Sequence, residues 1–466
     1  MDFTAVALAE AVRTKRVSPV ELVRDCLARI ERRNAALRAF ITVDAERALA
    51  SARALEAEAA GGRFRGPLHG VPVAHKDLCV VPGLPTSCGT RTRDYFHSET
   101  PCTAAARLAA KGAILLGKLN MTELAMGPFG DNAHHGDVQN PWKPGHASGG
   151  SSSGSGAAVA AGLVAGAIGS DTGGSIRLPA ACCGVVGLKP TYGRVSRAGA
   201  MPLSWTMDHI GPLAATVTDA ALLFAAMAGH DAADPTSSTR PVGDIMGMLD
   251  GPVGGVRAAV PEAHFFDELS PDVEAAVRAA IAVVEKLGVR VGRVKLPDVS
   301  SLSRECSTPI VAAEAATEHA RLLRERRDEV QPVVYARASA GFSVSAVEYL
   351  QAQRLRERFA REFVATAFAD ADVLLMPTIP EPAPPYAVAK AGTVNEIVAR
   401  MGRFSRLTRP LNAAGVPALS VPCGFSADGR PLALQIVGRP FDEATVLRVA
   451  RAYERATDWS RLPPGV

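Results

Sequence analysis

Residues 146–156 read His-Ala-Ser-Gly-Gly-Ser-Ser-Ser-Gly-Ser-Gly, and residues 169–177 read Gly-Ser-Asp-Thr-Gly-Gly-Ser-Ile-Arg. In the second run two glycines directly precede Ser175, and successive glycines allow backbone N–H groups to converge on one point. An oxyanion hole requires such convergence, and a serine beside it can act as a nucleophile. Taken alone, however, this run is explained equally well as a plain glycine-rich turn.

A lysine supplies a group that the two glycine-rich runs lack. Lys76 lies in Val-Pro-Val-Ala-His-Lys-Asp (residues 71–77), a segment that favours a strand. Hydrolysis of an amide needs a nucleophile, a base, an acid for the departing nitrogen and donors for the oxyanion. A free lysine has a pKa of about 10.4, but burial among neighbours such as Val73 and Leu78 would lower it. If the segment is a strand, His75 points to the face opposite Lys76.

Gly150–Gly154 also satisfies the pattern Gly-x-Ser-x-Gly, with Ser152 at its centre. In α/β-hydrolases this pattern forms a nucleophile elbow between a strand and a helix. The residues before it, Asn-Pro-Trp-Lys-Pro-Gly (140–145), predict a loop instead of a strand. Ser152 is therefore a weaker candidate nucleophile than Ser175.

Two further motifs could suggest a cofactor. Gly154-Ser-Gly156 begins like a dinucleotide-binding loop, but Val159 stands where the third glycine belongs and no strand leads into it. His134 and His135 are adjacent, so their rings are poorly placed to face one metal ion, and no third ligand follows at a useful spacing. The sequence therefore predicts neither a metal nor an organic cofactor.

The composition is that of a large folded protein. The chain has 466 residues, 47% of them apolar, and a formal net charge of +4, which favours neither a nucleic acid nor a membrane as partner. The longest apolar stretch, Ala157–Ile168, is far shorter than the ~20 residues of a membrane-spanning helix, and the N-terminus lacks a signal-peptide pattern. Eight cysteines without a Cys-x-x-Cys pair indicate reduced thiols. We expect a cytoplasmic protein.

The pattern of apolar residues predicts an α/β protein with one domain. Helical periodicity dominates residues 4–60, where Ser18, Pro19 and Glu21 resemble a capped helix start, and returns over residues 270–288. Strand-like runs alternate with helices along the rest of the chain. These runs are Val71–Ala74, Ala113–Leu116, Val289–Leu296, Val373–Met376, Ala418–Pro422 and Leu432–Val437. The loop-rich stretch 231–254 is not a convincing domain boundary, because strand-like segments resume after it.

The three motifs together resemble the amidase signature family, serine hydrolases that cut amide bonds with a Ser-Ser-Lys relay. The resemblance is nearly continuous over residues 68–190, including Gly112–Asn120 and Gly184–Pro190. It resumes at Asn-Ala-Ala-Gly-Val-Pro-Ala-Leu-Ser-Val-Pro (412–422) and Gln-Ile-Val-Gly-Arg-Pro (435–440). The fold implied is one domain over residues 1–466, a mixed central β-sheet with helices on both faces.

Within that domain, the resemblance implies three segments. Residues 1–66 would form an N-terminal helical layer and residues 67–220 the catalytic core. Residues 221–466 would supply variable helices and the C-terminal strands that complete the sheet.

The resemblance also implies a role for individual residues. Ser175 would be the nucleophile, Ser151 the bridging serine and Lys76 the base, and the Gly150–Ser151 peptide bond would be cis. The oxyanion hole would consist of backbone N–H groups of residues Thr172, Gly173, Gly174 and Ser175. Supporting positions would be Gly150, Asp171 and Arg177, and the acyl side of the pocket would be lined by Met126, Gly127, Pro128, Phe129 and Trp205.

The substrate implied is a small-molecule amide, with no cofactor and with a homodimer as the assembly. One member of the family is the glutaminase subunit of the tRNA-dependent amidotransferase, which carries an acidic residue shortly before its Thr-x-Pro-x-Asn motif. Here Ser405 stands at that place before Thr408, and Arg403, Arg406 and Arg409 cluster around it. This difference favours a stand-alone amidase acting on an aliphatic or aryl amide, an anilide or a carbamate. A glutamine-hydrolysing subunit remains the alternative.

Overall fold

The computed structural model describes residues 3–459 and 461–463, and these residues contain eleven strands that form one sheet. The strands are β1 (Phe40–Val43), β2 (Pro72–Lys76), β3 (Ile114–Leu119), β4 (Gly166–Asp171), β5 (Val186–Lys189), β6 (His209–Ala214), β7 (Arg257–Pro261), β8 (Arg290–Val294), β9 (Val373–Pro377), β10 (Ala418–Phe425) and β11 (Pro431–Gly438).

Helices occupy most of the chain between the strands. They are α1 (Ala5–Arg13), α2 (Pro19–Leu37), α3 (Ala45–Ala60), α4 (Thr103–Ala110), α5 (Ser153–Ala160), α6 (Arg177–Cys183), α7 (Val217–Met227), α8 (Ile245–Met248), α9 (Pro271–Lys286), α10 (Val299–Glu318), α11 (Ala320–Glu325), α12 (Pro332–Ser339), α13 (Ala346–Ala367), α14 (Tyr386–Ala389), α15 (Val394–Phe404), α16 (Arg409–Ala413) and α17 (Glu443–Arg455). Short 3₁₀ turns lie at Glu123–Ala125, Arg327–Glu329 and Ala340–Ser343.

The sheet is mixed, and its strands lie in the order β1-β3-β2-β4-β6-β5-β10-β11-β9-β7-β8. Strand β2 pairs in parallel with both β3 and β4, and β7 pairs in parallel with β8 and β9. The strands between these two groups pair antiparallel. Strands from the first and last hundred residues therefore belong to one continuous sheet.

Helices cover both faces of this sheet. Successive residues of a strand point to opposite faces, and here they enter different apolar clusters. Val73 belongs to an apolar cluster that includes residues of helices α1, α4, α7, α9 and α17, whereas its neighbour Ala74 belongs to a cluster that includes residues of α2, α3 and α5. At the other end of the sheet, Leu375 joins the first cluster and Leu374 joins a third cluster formed with α10, α13 and α16. The predicted fold class, a mixed sheet covered on both faces, is confirmed.

All six predicted strands are present, with bounds shifted by a few residues. The helix predicted over residues 270–288 is α9, where Ser270 accepts a hydrogen bond from the backbone of Val273. The cap at Ser18 is also confirmed, because Ser18 and Glu21 bond each other's backbone N–H groups at the start of α2. Apolar pattern does not indicate the other five strands, β1, β4, β5, β6 and β7.

The described residues contain no helix that combines the length and the apolar character needed to cross a bilayer. All eight cysteines are unpaired and buried.

Candidate active site

The parallel pairing of β2 with β4 brings the lysine to the glycine-rich run. His75 lies opposite Ile168 in the register, so Lys76 at the end of β2 reaches the level of Ser170 near the end of β4. The carboxyl ends of both strands meet at one edge of the sheet, where ligands bind in open α/β sheets. The segment that leaves β4 at this edge carries Ser175.

Lys76 is fully buried and is held by two hydroxyl groups. Its Nζ donates to Ser151 Oγ at 2.6 Å and to Ser170 Oγ at 2.9 Å. Burial lowers the pKa of Lys76 to about 7, an effect that Asp171 and Asp208 counter in part. A large fraction of Lys76 is therefore neutral near pH 7 and able to accept a proton.

Residues 150–152, which include the predicted bridging serine Ser151, connect the lysine to the loop of Ser175. The Gly150–Ser151 peptide bond is cis, as predicted. The N–H of the next residue, Ser152, donates to the carbonyl of Ser175 at 3.2 Å, which ties the two glycine-rich runs together. At Gly150 a Cβ would lie 2.5 Å from the carbonyl oxygen of Gly127, so no larger residue fits without movement of the backbone.

Ser152 has a structural position. Its Oγ donates to the carbonyl of Ser170 at 3.1 Å and accepts from the N–H of the same residue at 3.2 Å. It is fully buried and precedes α5 without a strand before it. Gly154 and Gly156 lie inside α5 and are buried as well. This geometry does not support the nucleophile elbow or a dinucleotide loop.

A buried ion pair braces the loop that follows β4. The Arg177 guanidinium donates to both oxygens of Asp171, at 3.0 and 2.9 Å, and both side chains are fully buried. Burial alone would raise the pKa of Asp171, but the charge and hydrogen bonds of Arg177 outweigh it and hold that pKa well below its usual value. Arg177 also donates to Gln435 at 2.8 Å and to Asn412 at 2.7 Å, which links the loop to the C-terminal strands.

The predicted oxyanion hole needs one correction. The N–H of Gly174 donates to Asp171 Oδ1 at 2.7 Å and is not free to bind an oxyanion. Among the described residues, the N–H groups of Gly173 and Ser175 have no such partner. Gly174 serves the loop differently: its φ is +132°, and a Cβ there would lie 2.3 Å from Thr408 Oγ1. Thr172 is fixed through its hydroxyl, which donates to Asp208.

Ser175 opens into a cavity of about 390 Å³. Its walls come from residues 125–128, which overlap the predicted lining 126–129, from Thr172, Gly173 and Ser175, and from helices in the second half of the chain. Among the lining residues are Met126, Gly127, Pro128, Leu203, Met207, Arg304, Val311, Arg337, Val398, Ser405 and Arg409. The lining is mostly aliphatic, with a few polar and cationic groups.

Two predicted lining residues lie elsewhere. Phe129 is buried, and its ring packs against Phe404 at 5.3 Å between centroids, so it belongs to the core behind the cavity wall. Trp205 is not part of the cavity lining; it is 37% exposed, and its carbonyl accepts hydrogen bonds from Tyr192 and Arg197. These two bonds hold the backbone of Trp205 near the surface, outside the cavity lining.

Comparison with known families assigns the chain to a family. Residues 21–447 match the family model described as Amidase. The chain belongs to the amidase signature family. It is thus a member of a family of hydrolases that act on C–N bonds.

Individual relatives of this chain carry different names. Over 99% of the chain, it is 41% identical to a glutamyl-tRNA(Gln) amidotransferase subunit of Chloroflexus aurantiacus, of which it covers 98%. It also superposes on the native peptide amidase from Stenotrophomonas maltophilia with a TM-score of 0.87 at 30% identity, covering 99% and 98% of the two chains. A third relative, 6-aminohexanoate cyclic dimer hydrolase with bound substrate, superposes with a TM-score of 0.91 at 28% identity, covering 100% and 99%.

The described part of the chain contains no group of three or more His, Cys, Asp or Glu side chains arranged to hold a metal ion. The two adjacent histidines contact different partners: His134 bonds Glu123 at 2.9 Å, and His135 bonds the carbonyl of Thr90 at 2.9 Å.

Several residues of the candidate site could not be predicted from the sequence. Ser170 lies in the glycine-rich run 169–177, but only the pairing of β2 with β4 shows that it contacts Lys76. Asn412 and Gln435 begin the two C-terminal motifs, and their contact with Arg177 depends on long-range packing. No sequence motif indicated that Arg337 belongs to the site, because it lies in the segment predicted to form variable helices.

Proposed function

We propose that this protein hydrolyses a carboxylic amide through an acyl-enzyme on Ser175, releasing a carboxylic acid and ammonia or an amine. The observation that carries the proposal is the buried Lys76, whose pKa is lowered to about 7 and whose Nζ donates to Ser151 Oγ at 2.6 Å. The loop beside it places Ser175 in the wall of a cavity. The site supplies a base, a proton bridge, a nucleophile and backbone donors at one edge of the sheet. These are the four groups that amide hydrolysis needs.

In the first half-reaction, Ser175 Oγ attacks the amide carbonyl. Its proton passes to Ser151, whose own proton passes to the neutral Nζ of Lys76. The N–H groups of Gly173 and Ser175 stabilise the oxyanion, with Thr172 completing the wall of the hole. The relay then runs backwards: Lys76 returns a proton through Ser151 to the nitrogen, the C–N bond breaks, and ammonia or an amine leaves.

In the second half-reaction, water attacks the acyl-enzyme carbonyl. Its proton passes through Ser151 to Lys76, and the returning proton restores the Ser175 hydroxyl as the ester bond breaks. One water is consumed for each C–N bond cleaved, and no electron transfer is involved. The three side chains return to their starting protonation states.

The identity of the nucleophile can be tested by labelling. We expect phenylmethylsulfonyl fluoride to modify Ser175, as read by mass spectrometry of the digested protein, and a Ser175→Ala chain to take up no label. Ser152→Ala is the matched control and should be labelled like the wild type. Label on Ser152 in the wild-type chain would overturn the proposal and restore the nucleophile elbow.

The second candidate is a glutamine-hydrolysing subunit of a tRNA-dependent amidotransferase. The names of curated relatives at about 41% identity favour it. Ser405 at the place of the acidic residue disfavours it, because its hydroxyl donates to the carbonyl of Met401 and none of the described lining residues carries a carboxylate. Ammonia release by the purified chain alone, from a panel of glutamine, aliphatic amides, anilides and carbamates, separates the candidates. Turnover of glutamine only, and only with added partner subunits, would favour the second.

The pH dependence follows from the lowered pKa of Lys76. The protonated lysine cannot accept the Ser151 proton, so activity is lost as the pH falls below that pKa. We expect kcat/KM to rise with pH through an inflection near the pKa of about 7, since kcat/KM reports ionisations of the free enzyme. A profile that is flat between about pH 5 and pH 9 would contradict the assignment of Lys76 as base.

Ser170 is expected to act as a positioning residue. Its hydroxyl is the second partner of Lys76 Nζ, at 2.9 Å. Ser170→Ala should lower kcat by about 2- to 10-fold, the range for loss of one hydrogen bond. It should also shift the inflection of the pH profile downward, since the ammonium form loses an acceptor. Ser155→Ala, which loses a buried bond to the carbonyl of Ile168 without touching Lys76, is the control and should leave the inflection in place.

A further inference from the structure

The cavity in front of Ser175 contains positive charge and no negative charge. Arg304, Arg337 and Arg409 line it, and no aspartate or glutamate is found among its lining residues in the described part of the chain. An arginine pointing into a cavity without a carboxylate partner is a ready site for an anion, because the guanidinium binds carboxylates in two-point geometry.

Arg409 lies next to the reacting groups. It opens helix α16, and its Cγ lies 3.2 Å from the position that a Cβ would occupy on Gly173. Within residues 3–459 and 461–463, its guanidinium has neither an ion pair nor a hydrogen bond. Burial lowers the pKa of Arg409. The loop that binds the oxyanion is therefore adjacent to an uncompensated cation.

Arg337 lies on helix α12 and lines the cavity beside Met126. Its Nη1 donates to the carbonyl of Met126 at 2.7 Å, and it has no ion pair in the described chain. Burial and the charge of Arg409 lower the pKa of Arg337 to about 10, while Asp131 has the opposite effect. Asp131 is not part of the lining, and its Oδ1 is buried without a partner among the described residues. The two arginines therefore repel each other, and the carboxylate of Asp131, which partly offsets the charge of Arg337, does not line the cavity.

We propose that the acyl part of the substrate ends in a carboxylate that binds between Arg337 and Arg409. This inference rests on the proposed hydrolysis at Ser175 and narrows its substrate to monoamides of short dicarboxylic acids. The cavity volume of about 390 Å³ suits a small molecule of this kind. Hydrolysis would break the C–N bond and add one water, giving a dicarboxylate and ammonia.

The same arrangement disfavours a zwitterion such as glutamine. The α-ammonium of glutamine would lie beside the carboxylate and would face the same arginines. A site for it needs an acidic side chain, and Ser405 lines the cavity at the place where such a group would serve. Removing the ammonium while keeping the carboxylate should therefore improve the substrate.

Three amides of five carbons test this directly. Glutaramate carries the carboxylate only, glutamine carries the carboxylate and an ammonium, and pentanamide carries neither. With the purified full chain, we expect kcat/KM for glutaramate to exceed that for pentanamide by at least about 10-fold, the effect of charge-assisted hydrogen bonds, and to exceed that for glutamine as well. Equal values for glutaramate and pentanamide, or a preference for glutamine, would overturn the proposal.

Substitutions of single arginines test which cation produces the preference for glutaramate over pentanamide. Arg409→Gln and Arg337→Gln should each lower the ratio of glutaramate to pentanamide kcat/KM by about 10-fold or more, mainly through KM. Arg403→Gln is the matched control, because Arg403 is exposed and lies outside the lining, and should keep the wild-type ratio.

Protection of Ser175 by glutarate tests the carboxylate site independently of amide hydrolysis. Glutarate should slow sulfonyl fluoride labelling of Ser175 in the wild type and much less in Arg409→Gln. If Ser175 is not labelled at all, the proposed function fails. If Ser175 is labelled but glutarate gives no protection, only the carboxylate site fails.

Discussion

Lys76→Met will lower kcat/KM for amide hydrolysis by at least about 10³-fold, because general acid–base catalysis contributes about 10²–10⁴-fold and this one amine serves in both half-reactions. Methionine nearly preserves the length of the side chain and removes the amine. The described chain offers no second base near Ser151, whose Oγ accepts from Lys76 alone. Steady-state kinetics on the best amide of the panel measures the loss.

Unfolding of the variant would not explain that loss. The pKa of Lys76 is lower in the folded chain than its ordinary value of 10.5. Below pH 7 the folded protein must therefore hold a buried ammonium, and its unfavourable contribution to stability decreases as the pH rises. Lys76→Met removes this contribution, so the variant should unfold no more easily than the wild type at pH 6. Lys189→Met, at a second fully buried lysine, is the control and should keep most of the activity. Full activity of Lys76→Met would contradict the relay.

Arg177→Met is expected to have the largest effect on stability. It leaves the carboxylate of Asp171 buried without its ion pair and removes five side-chain hydrogen bonds. Removing one partner of a buried pair costs about 3–5 kcal/mol in the free energy of unfolding. Denaturant unfolding measures the loss, and the activity of the folded fraction should fall too, because the loop that carries Ser175 loses its brace.

A second buried arginine provides the matched control for this result. Arg194 pairs with Glu443 at 3.3 Å and is nearly as buried, but it does not contact the loop after β4. Arg194→Met should lower stability through the same physical cause and leave the activity per folded molecule unchanged. If both variants lose activity equally, the bracing role of Arg177 is wrong.

The sequence was informative where local pattern determines structure. Ser18 and Ser270 begin helices as predicted, because a capping side chain bonds a backbone N–H only two or three residues away. The strands that the sequence predicts correctly are rich in valine, leucine and isoleucine. By contrast, β4 reads Gly-Ala-Ile-Gly-Ser-Asp and β5 reads Val-Gly-Leu-Lys, and both are fully buried without alternation. Their pairing partners make them strands, and single segments do not reveal partners.

In the candidate site, too, local motifs predict some residues, whereas contacts that depend on the tertiary fold are not predicted. Lys76 and Ser151 are predicted from motifs and lie within hydrogen-bonding distance. The Gly174 prediction is wrong because the direction of one N–H depends on where the Asp171 carboxylate lies. Trp205 is assigned to the lining by resemblance, and a resemblance does not determine which way the loop of this chain points. Arg337 and Arg409, on separate helices, form a pair only through the tertiary fold.

The hydrogen bond between Arg177 and Gln435 joins residues that are 258 positions apart in the chain. At about 5–20 residues per second, a ribosome needs on the order of 10–50 s to synthesise the intervening segment. During that interval the nascent chain already contains Lys76, Ser151 and Ser175, but the loop around Ser175 lacks its C-terminal support. We therefore expect a product that ends before Asn412 to contain Lys76, Ser151 and Ser175 and yet to lack the contacts that support the loop around Ser175.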